Sequence, residues 1–246
     1  MKATKEWYES WFDSPYYHIL YKERDEKEAK EFLDSLVNFL KPVRGAKILD
    51  VACGKGRHSV YLNQKGFDVT GFDLSPENIE YDQQFENEKL SFFRHDMREL
   101  FRINYFDYVF NLFSSFGYFA KESDNAKTIY ANAEALKPGG LLVLDYLNSN
   151  KVKSSLVADE MKIVDGINFH INKKIVNESV VKQINFDDRE RSYEFCERLC
   201  LFSRQDFEKY FTKYNLSVVH VFGDYNLDPF DEMNSDRLIL VAKKID

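Results

Sequence analysis

Apolar positions follow two rhythms along this chain. Over residues 25–40 they fall at Ala29, Phe32, Leu33, Leu36, Val37 and Leu40, the spacing of a helix that buries one face, and Pro42 stops it. Short apolar runs then alternate with helical stretches. Lys47–Val51 reads as a strand, a glycine-bearing turn follows, and a helix over residues 59–65 closes at Gly66. Residues 68–72 are a second strand, with Pro76 opening a helix at its first turn, Leu90–Arg94 a third, and residues 105–112 a fourth. A helix over residues 125–136, the turn Lys137-Pro138-Gly139-Gly140 and a fifth strand at residues 141–146 complete the series. Strand-helix alternation at this spacing predicts an α/β fold, a doubly wound and mostly parallel sheet that takes ligands at the carboxyl ends of its strands.

The rhythm changes after residue 150. Residues 160–165, 168–176, 180–186 and 192–202 read as successive strands joined by polar turns such as Asp165-Gly166 and Asp187-Asp188, hence an antiparallel sheet. It is read as an insertion between strands five and six. A helix over residues 203–214, with Ser203 as N-cap, leads to two last strands, Leu216–Phe222 and residues 238–243, for a seven-stranded main sheet. The expected organisation is one domain of 246 residues: an N-terminal lid and helix (1–45), a core (46–150), the inserted sheet over the active site (151–202) and a C-terminal helix with strands that complete the main sheet (203–246). The first segment, from Trp7 to Tyr21, is rich in aromatics without a clean period.

Composition narrows the function. The net charge of −7 carries no compensating basic stripe, because Lys and Arg alternate with Asp and Glu, so a nucleic-acid partner is disfavoured. No apolar run approaches the ~18–20 residues that span a bilayer, and residues 1–10 lack the pattern of a signal peptide, so the expectation is a cytoplasmic protein with no membrane partner. Cys53, Cys196 and Cys200 form no metal or disulfide pattern and read as reduced thiols. The aromatic content of 16% supplies rings for a core and for a pocket.

The candidate chemistry lies in Asp50-Val51-Ala52-Cys53-Gly54-Lys55-Gly56-Arg57-His58, where a strand enters a turn with two glycines around one residue. Glycine there lets backbone approach a ligand and leaves amides pointing outward. About twenty residues on, Asp73 ends the second strand, where a carboxylate can accept from both hydroxyls of a ribose; the alternative is an exposed helix-capping Asp. A dinucleotide and S-adenosylmethionine both fit this much. A dinucleotide fingerprint requires a third glycine where Ser59 stands, and Asp50 would face the pyrophosphate as a second anion, whereas it would attract a sulfonium and an ammonium.

These residues resemble class I S-adenosylmethionine-dependent methyltransferases, particularly their bacterial small-molecule branch, and the resemblance spans nearly the whole chain. Its motifs match residues 48–56, Gly71-Phe72-Asp73-Leu74-Ser75-Pro76, Arg94-His95-Asp96-Met97, Phe106-Asp107-Tyr108-Val109-Phe110-Asn111 and Leu136-Lys137-Pro138-Gly139-Gly140, in order. The resemblance implies the Rossmann-like methyltransferase fold with S-adenosyl-L-methionine as cofactor. It places Ala52, Cys53, Gly54 and Gly56 along the methionine part, with Asp50 orienting that loop or meeting the ammonium through water. Asp73 would hold the ribose, Leu74 would pack on the adenine, Asp96 and the Met97 amide would meet its edge, and the Asn111 carbonyl would meet the ammonium. Tyr17, Tyr21 and Arg24 are the lid residues that would reach the cofactor carboxylate. Asp107 reads as a structural turn residue.

Methyl transfer from a sulfonium needs alignment more than a dedicated catalyst. His18 and His170 are the base candidates, with Tyr118 a further weak one; His58, His95 and His220 read as structural. Phe116 and Tyr118 would line the acceptor site, and Arg198 would face a substrate carboxylate from the inserted sheet. The missing Asn-Pro-Pro-Tyr pattern after strand four, where Asn111-Leu112-Phe113-Ser114 stands, disfavours nucleic-acid and glutamine amino-methylation. No acidic or histidine cluster suggests a metal. A small-molecule acceptor methylated at N or O follows, for a monomer or homodimer. A non-catalytic S-adenosylmethionine-binding module and an NAD-dependent oxidoreductase stay as rival readings.

Overall fold

The computed structural model describes residues 6–22 and 26–245. In chain order the elements are α1 (Trp7–Trp11), α2 (Pro15–Leu20), α3 (Glu26–Leu40), β1 (Lys47–Val51), α4 (Arg57–Gln64), β2 (Asp68–Asp73), α5 (Pro76–Asp82), β3 (Leu90–Arg94) and β4 (Phe106–Asn111). There follow α6 (Glu122–Ala135), β5 (Leu136–Leu147), α7 (Ser149–Ser155), β6 (Asp159–Val164), β7 (Ile167–Val176), β8 (Ser179–Asp188), β9 (Arg191–Cys200), α8 (Arg204–Lys213), β10 (Leu216–Phe222) and β11 (Arg237–Lys244).

Seven strands make the main sheet in the order β10-β11-β5-β4-β1-β2-β3, and four make a second sheet in the order β6-β7-β8-β9. In the main sheet β1 to β5 run parallel, while β11 enters antiparallel between β5 and β10. Neighbouring residues of each central strand enter different cores, which is why those strands read as continuous apolar runs. Ile48, Val143 and Ile239 pack with Phe32, Leu33 and Leu62 of α3 and α4; Leu49, Leu142 and Leu240 pack with Ile129, Phe207 and Phe211 of α6 and α8. The strand order reverses beside β1, which pairs with β2 on one side and β4 on the other, and a crevice opens at their carboxyl ends.

Three readings change. The turn Lys137-Pro138-Gly139-Gly140 lies inside β5: Phe106 pairs with Leu136 and Tyr108 with Leu141, so β5 takes five steps against two on β4, with Gly139 at φ 76°. The segment after β5 opens with a helix, α7, whose cap is Asn148, accepting from the Asn150 amide at 3.1 Å. The N-terminal aromatics form α1 and α2. Their burial is split, since Tyr8 joins the core beneath the main sheet while Trp11 and Leu20 pack on Phe169, Ile171, Ile184 and Phe186 of the second sheet. Burial on two sides erases the one-face period.

Candidate functional site

β1 leaves the sheet through Ala52, Gly54 and Gly56 at φ 55°, 56° and 63° before α4 begins. The Cys53 amide donates to the Phe72 carbonyl at 2.9 Å, the Gly54 amide to Asp73 Oδ2 at 2.9 Å, and the Gly56 amide to the Cys53 carbonyl at 3.1 Å. Asp50 Oδ2 accepts from Ser59 Oγ at 2.6 Å, fixing the first turn of α4 to β1. The two glycines do different work. A Cβ on Gly54 would meet nothing within 4 Å, whereas one on Gly56 would stand 2.8 Å from the Phe92 ring and 3.0 Å from Asp82 Cγ.

Two cavities meet at this turn. The larger, about 700 Å³, has Asp50, Ala52, Cys53 and Gly54 as its floor and residues 112–115 as a wall. Trp7, Phe12, Tyr17, His18 and Tyr21 cover it from α1 and α2, and Glu197, Arg198 and Leu199 from β9. The smaller, about 180 Å³, lies among Tyr8, Phe72, Leu74, Met97 and Phe119, with Asp96 in its lining. Phe12, Ala52, Asp73 and Tyr118 line both, so the Asp73 carboxylate stands where the two cavities adjoin. That carboxylate accepts the Gly54 and Ser75 amides, each at 2.9 Å, and keeps lone pairs for hydroxyl donors. An apolar slot, an acid and a turn rich in backbone amides match an adenine, a ribose and an amino-acid chain in sequence.

Burial pushes Asp73 above the usual carboxylate range against these amide bonds, and raises Asp50 to about 6 against the Ser59 bond. Asp82, fully buried behind Gly56 with one oxygen unpartnered among the described residues, is pushed up to about 8 by burial and by Asp73 and Asp50. Burial lowers His58 to about 3. His58 lines the larger cavity and stacks on Phe113, ring centres 4.7 Å apart at 14°. Burial and Lys55 also lower His18, with the Asn78 side chain acting the other way.

The structure brings Tyr17, Tyr21, Asp50, Ala52, Cys53, Gly54, Asp73, His18, Tyr118 and Arg198 to the larger cavity, and Leu74, Asp96 and Met97 to the smaller. Asp96 meets Arg98 through Nε–Oδ1 at 3.0 Å and Nη2–Oδ2 at 2.5 Å; burial opposes but these bonds prevail, so its pKa falls. Asp107 holds the Lys47 amide at 2.8 Å and Lys137 Nζ at 2.6 Å, the structural part expected of it.

Four expectations fail on geometry. Phe116 is fully buried against Tyr146, Phe202 and Phe207, so it is core and not acceptor wall. His170 follows inward Phe169 on β7 and is exposed, away from both cavities. Asn111 is sealed within β4 opposite Leu144, and Leu112 stands at the cavity in its place. Gly56 lines neither cavity and provides the close approach to Phe92. Arg24 lies outside the described residues.

Sequence reading missed Glu197. Its Oε1 accepts from Trp11 Nε1 and the Tyr21 hydroxyl, each at 2.6 Å, and Oε2 meets Lys182 Nζ at 2.8 Å. Burial raises it, but Lys182 and the two donors outweigh that and its pKa falls. The signal was an acid on the apolar alternation Tyr193, Phe195, Glu197, the inward face of β9.

Residues 21–221 match the model of a family described as a methyltransferase domain. The chain is 38% identical to YqeM, a candidate methyltransferase of Bacillus subtilis (strain 168), over 45% of this chain and 46% of that protein. It is 34% identical to a glycine/sarcosine N-methyltransferase of Parasynechococcus marenigrum (strain WH8102), over 48% and 44%. The chain thus spans about half the length of these curated relatives. Its fold is that of an S-adenosylmethionine-dependent methyltransferase from Clostridium acetobutylicum ATCC 824, with a TM-score of 0.78 at 20% identity over 94% of this chain and 96% of that one.

Proposed function

The chain belongs to the methyltransferase-domain family, as an S-adenosylmethionine-dependent enzyme, and we propose from that premise that it methylates nitrogen or oxygen of a small molecule bound in the 700 Å³ cavity. The observation that carries the reading is the pair of cavities joined at Asp73. The adenosyl end fits the apolar slot beside Leu74 and Met97, with Asp96 and the Met97 amide at its edge, and Asp73 takes the ribose hydroxyls. The methionine end lies along Ala52, Cys53 and Gly54, within reach of Tyr17 and Tyr21. Bound S-adenosylmethionine supplies the activated methyl group.

The remaining part of the larger cavity, under Glu197, Arg198 and Leu199 and beside Tyr118, is left for the acceptor. Small-molecule methylation accords with the named activity of the Parasynechococcus relative and with the cover that α1, α2 and β9 place over the cavity. His18 lines the larger cavity with Lys55 and Asn78, over the β1–α4 turn. Its proposed role is to fasten α2 over the cofactor. Transfer then depends on alignment and on exclusion of water by α1, α2 and β9.

Calorimetric titration with S-adenosylmethionine, S-adenosylhomocysteine and NAD tests this, with Asp73→Ala as control. Binding of the adenosyl ligands alone, weakened by about 1–3 kcal/mol in the variant, supports it; indifference to both, or preference for NAD, refutes it. Radiolabelled methyl transfer to glycine and sarcosine starts the acceptor screen and separates an enzyme from a binding module.

A further inference from the structure

A polar network behind the cavity wall centres on Asp145 of β5, which is fully buried. Its Oδ1 accepts from Arg237 Nε at 2.8 Å and its Oδ2 from the Phe113 amide at 2.7 Å, while its carbonyl accepts from the Ser114 amide at 3.0 Å. Arg237, from β11, reaches the same turn through Nη2 to Ser114 Oγ at 2.9 Å. The two residues held in this way are Phe113 and Ser114, at φ 55° and 61°. Side chains disfavour that region, and two consecutive residues there persist only where the surroundings dictate it.

Phe113 and Ser114 line the larger cavity, whereas Asp145 and Arg237 line neither cavity. The Phe113 ring stacks on His58 and carries the Arg57 guanidinium 5.2 Å above its centre, so it braces the start of α4 directly after Gly56. A buried ion pair is seldom a net source of stability and is often replaceable by apolar residues. Its placement here matches a local task.

We infer that Asp145 and Arg237 are positioning residues for the ligand site: they hold the left-handed Phe113–Ser114 turn, and that turn sets both the cavity wall and the start of α4 beside the cofactor loop. The bonds and dihedrals stand on their own; only the cofactor readout below rests on the function proposed above.

The test is the double variant Asp145→Asn/Arg237→Gln, which removes both charges together and leaves neither buried alone. Hydrogen exchange of the Phe113 and Ser114 amides is expected to speed up about ten-fold or more while the amides within β4 and β5 keep their protection. Affinity for S-adenosylhomocysteine should fall by about ten-fold. Adding Ser114→Gly, which frees the backbone to adopt positive φ, should recover most of that affinity. Unchanged exchange at both amides, or faster exchange with unchanged affinity, overturns the inference. If the double variant does not fold, Arg237→Lys, which keeps the charge without the fork that spans Asp145 and Ser114, is judged by the same two signals. A wild-type chain that ignores S-adenosylhomocysteine refutes the methyltransferase reading instead, and the exchange rates still decide this one.

Discussion

Ser75 Oγ donates to Asp13 Oδ1 at 2.6 Å, and this bond fastens the N-terminal helices to the turn that carries Asp73. Ser75 also caps α5, its hydroxyl accepting from the Asn78 amide at 3.1 Å. The N-terminal helices and the turn that carries Asp73 are therefore joined at one short segment.

Ser75→Ala removes both the cap and the latch. It should cost about 1 kcal/mol of stability in chemical denaturation and weaken S-adenosylhomocysteine binding. Asp13→Ala leaves the cap intact, so it should weaken binding with little loss of stability. Equal stability losses in the two variants would show that the latch is not separable from the helix cap.

The two glycines of the β1–α4 turn should respond differently to alanine. Gly56→Ala drives a Cβ against Phe92 and Asp82 and should cost about 1–3 kcal/mol in denaturant titration. Gly54→Ala meets open space, so only the strain of positive φ, about 1 kcal/mol, opposes it; the loss should appear mainly in ligand affinity.

Stability contributed by Asp82 should fall as pH rises from about 4 to about 8. Folded Asp82 keeps its proton up to about 8, whereas the unfolded carboxyl releases it near 3.8. The stability contributed by the protonated form is complete below the unfolded value and is lost as pH rises through the folded one. Asp50, raised to about 6, adds a loss of the same sign at lower pH. Asp82→Asn, neutral at every pH, should therefore exceed wild type in melting temperature at about pH 8 and approach it near pH 4. A constant difference between the two proteins across that range would remove the proton from the explanation.

Phe116→Ala should cost about 3–5 kcal/mol, because it empties a fully buried ring site among Tyr146, Phe202 and Phe207. His170→Ala, on the exposed side of β7, should alter neither melting temperature nor turnover. Loss of turnover in a well-folded His170→Ala protein would return that histidine to the list of bases.

The alternation of strands and helices, the glycine turn after β1 and the acid at the end of β2 were legible without coordinates. Each is written in consecutive residues: both faces of the main sheet are buried, so its strands read as apolar runs, and helix period, capping residues and glycine turns act within a few positions. The position of Asp73 follows from the length of one helix and one strand. Ser203, taken as an N-cap, accepts from the Asp206 amide at 3.3 Å as its local sequence required.

Which side chains face the cavity was settled only when distant segments packed. Phe116 and Tyr118 stand two residues apart in one apolar loop, yet one enters the core and the other joins the two cavities. Phe169 and His170 are neighbours on opposite faces of β7, and the inward face is decided by where α1 and α2 dock. Glu197 takes its meaning from Trp11 and Tyr21, more than 170 residues earlier, and Asp145 from Arg237, 92 residues later. Periodicity and capping are short-range properties of the chain, whereas a buried charge is defined by the groups that close around it, and those come from wherever the fold happens to bring them.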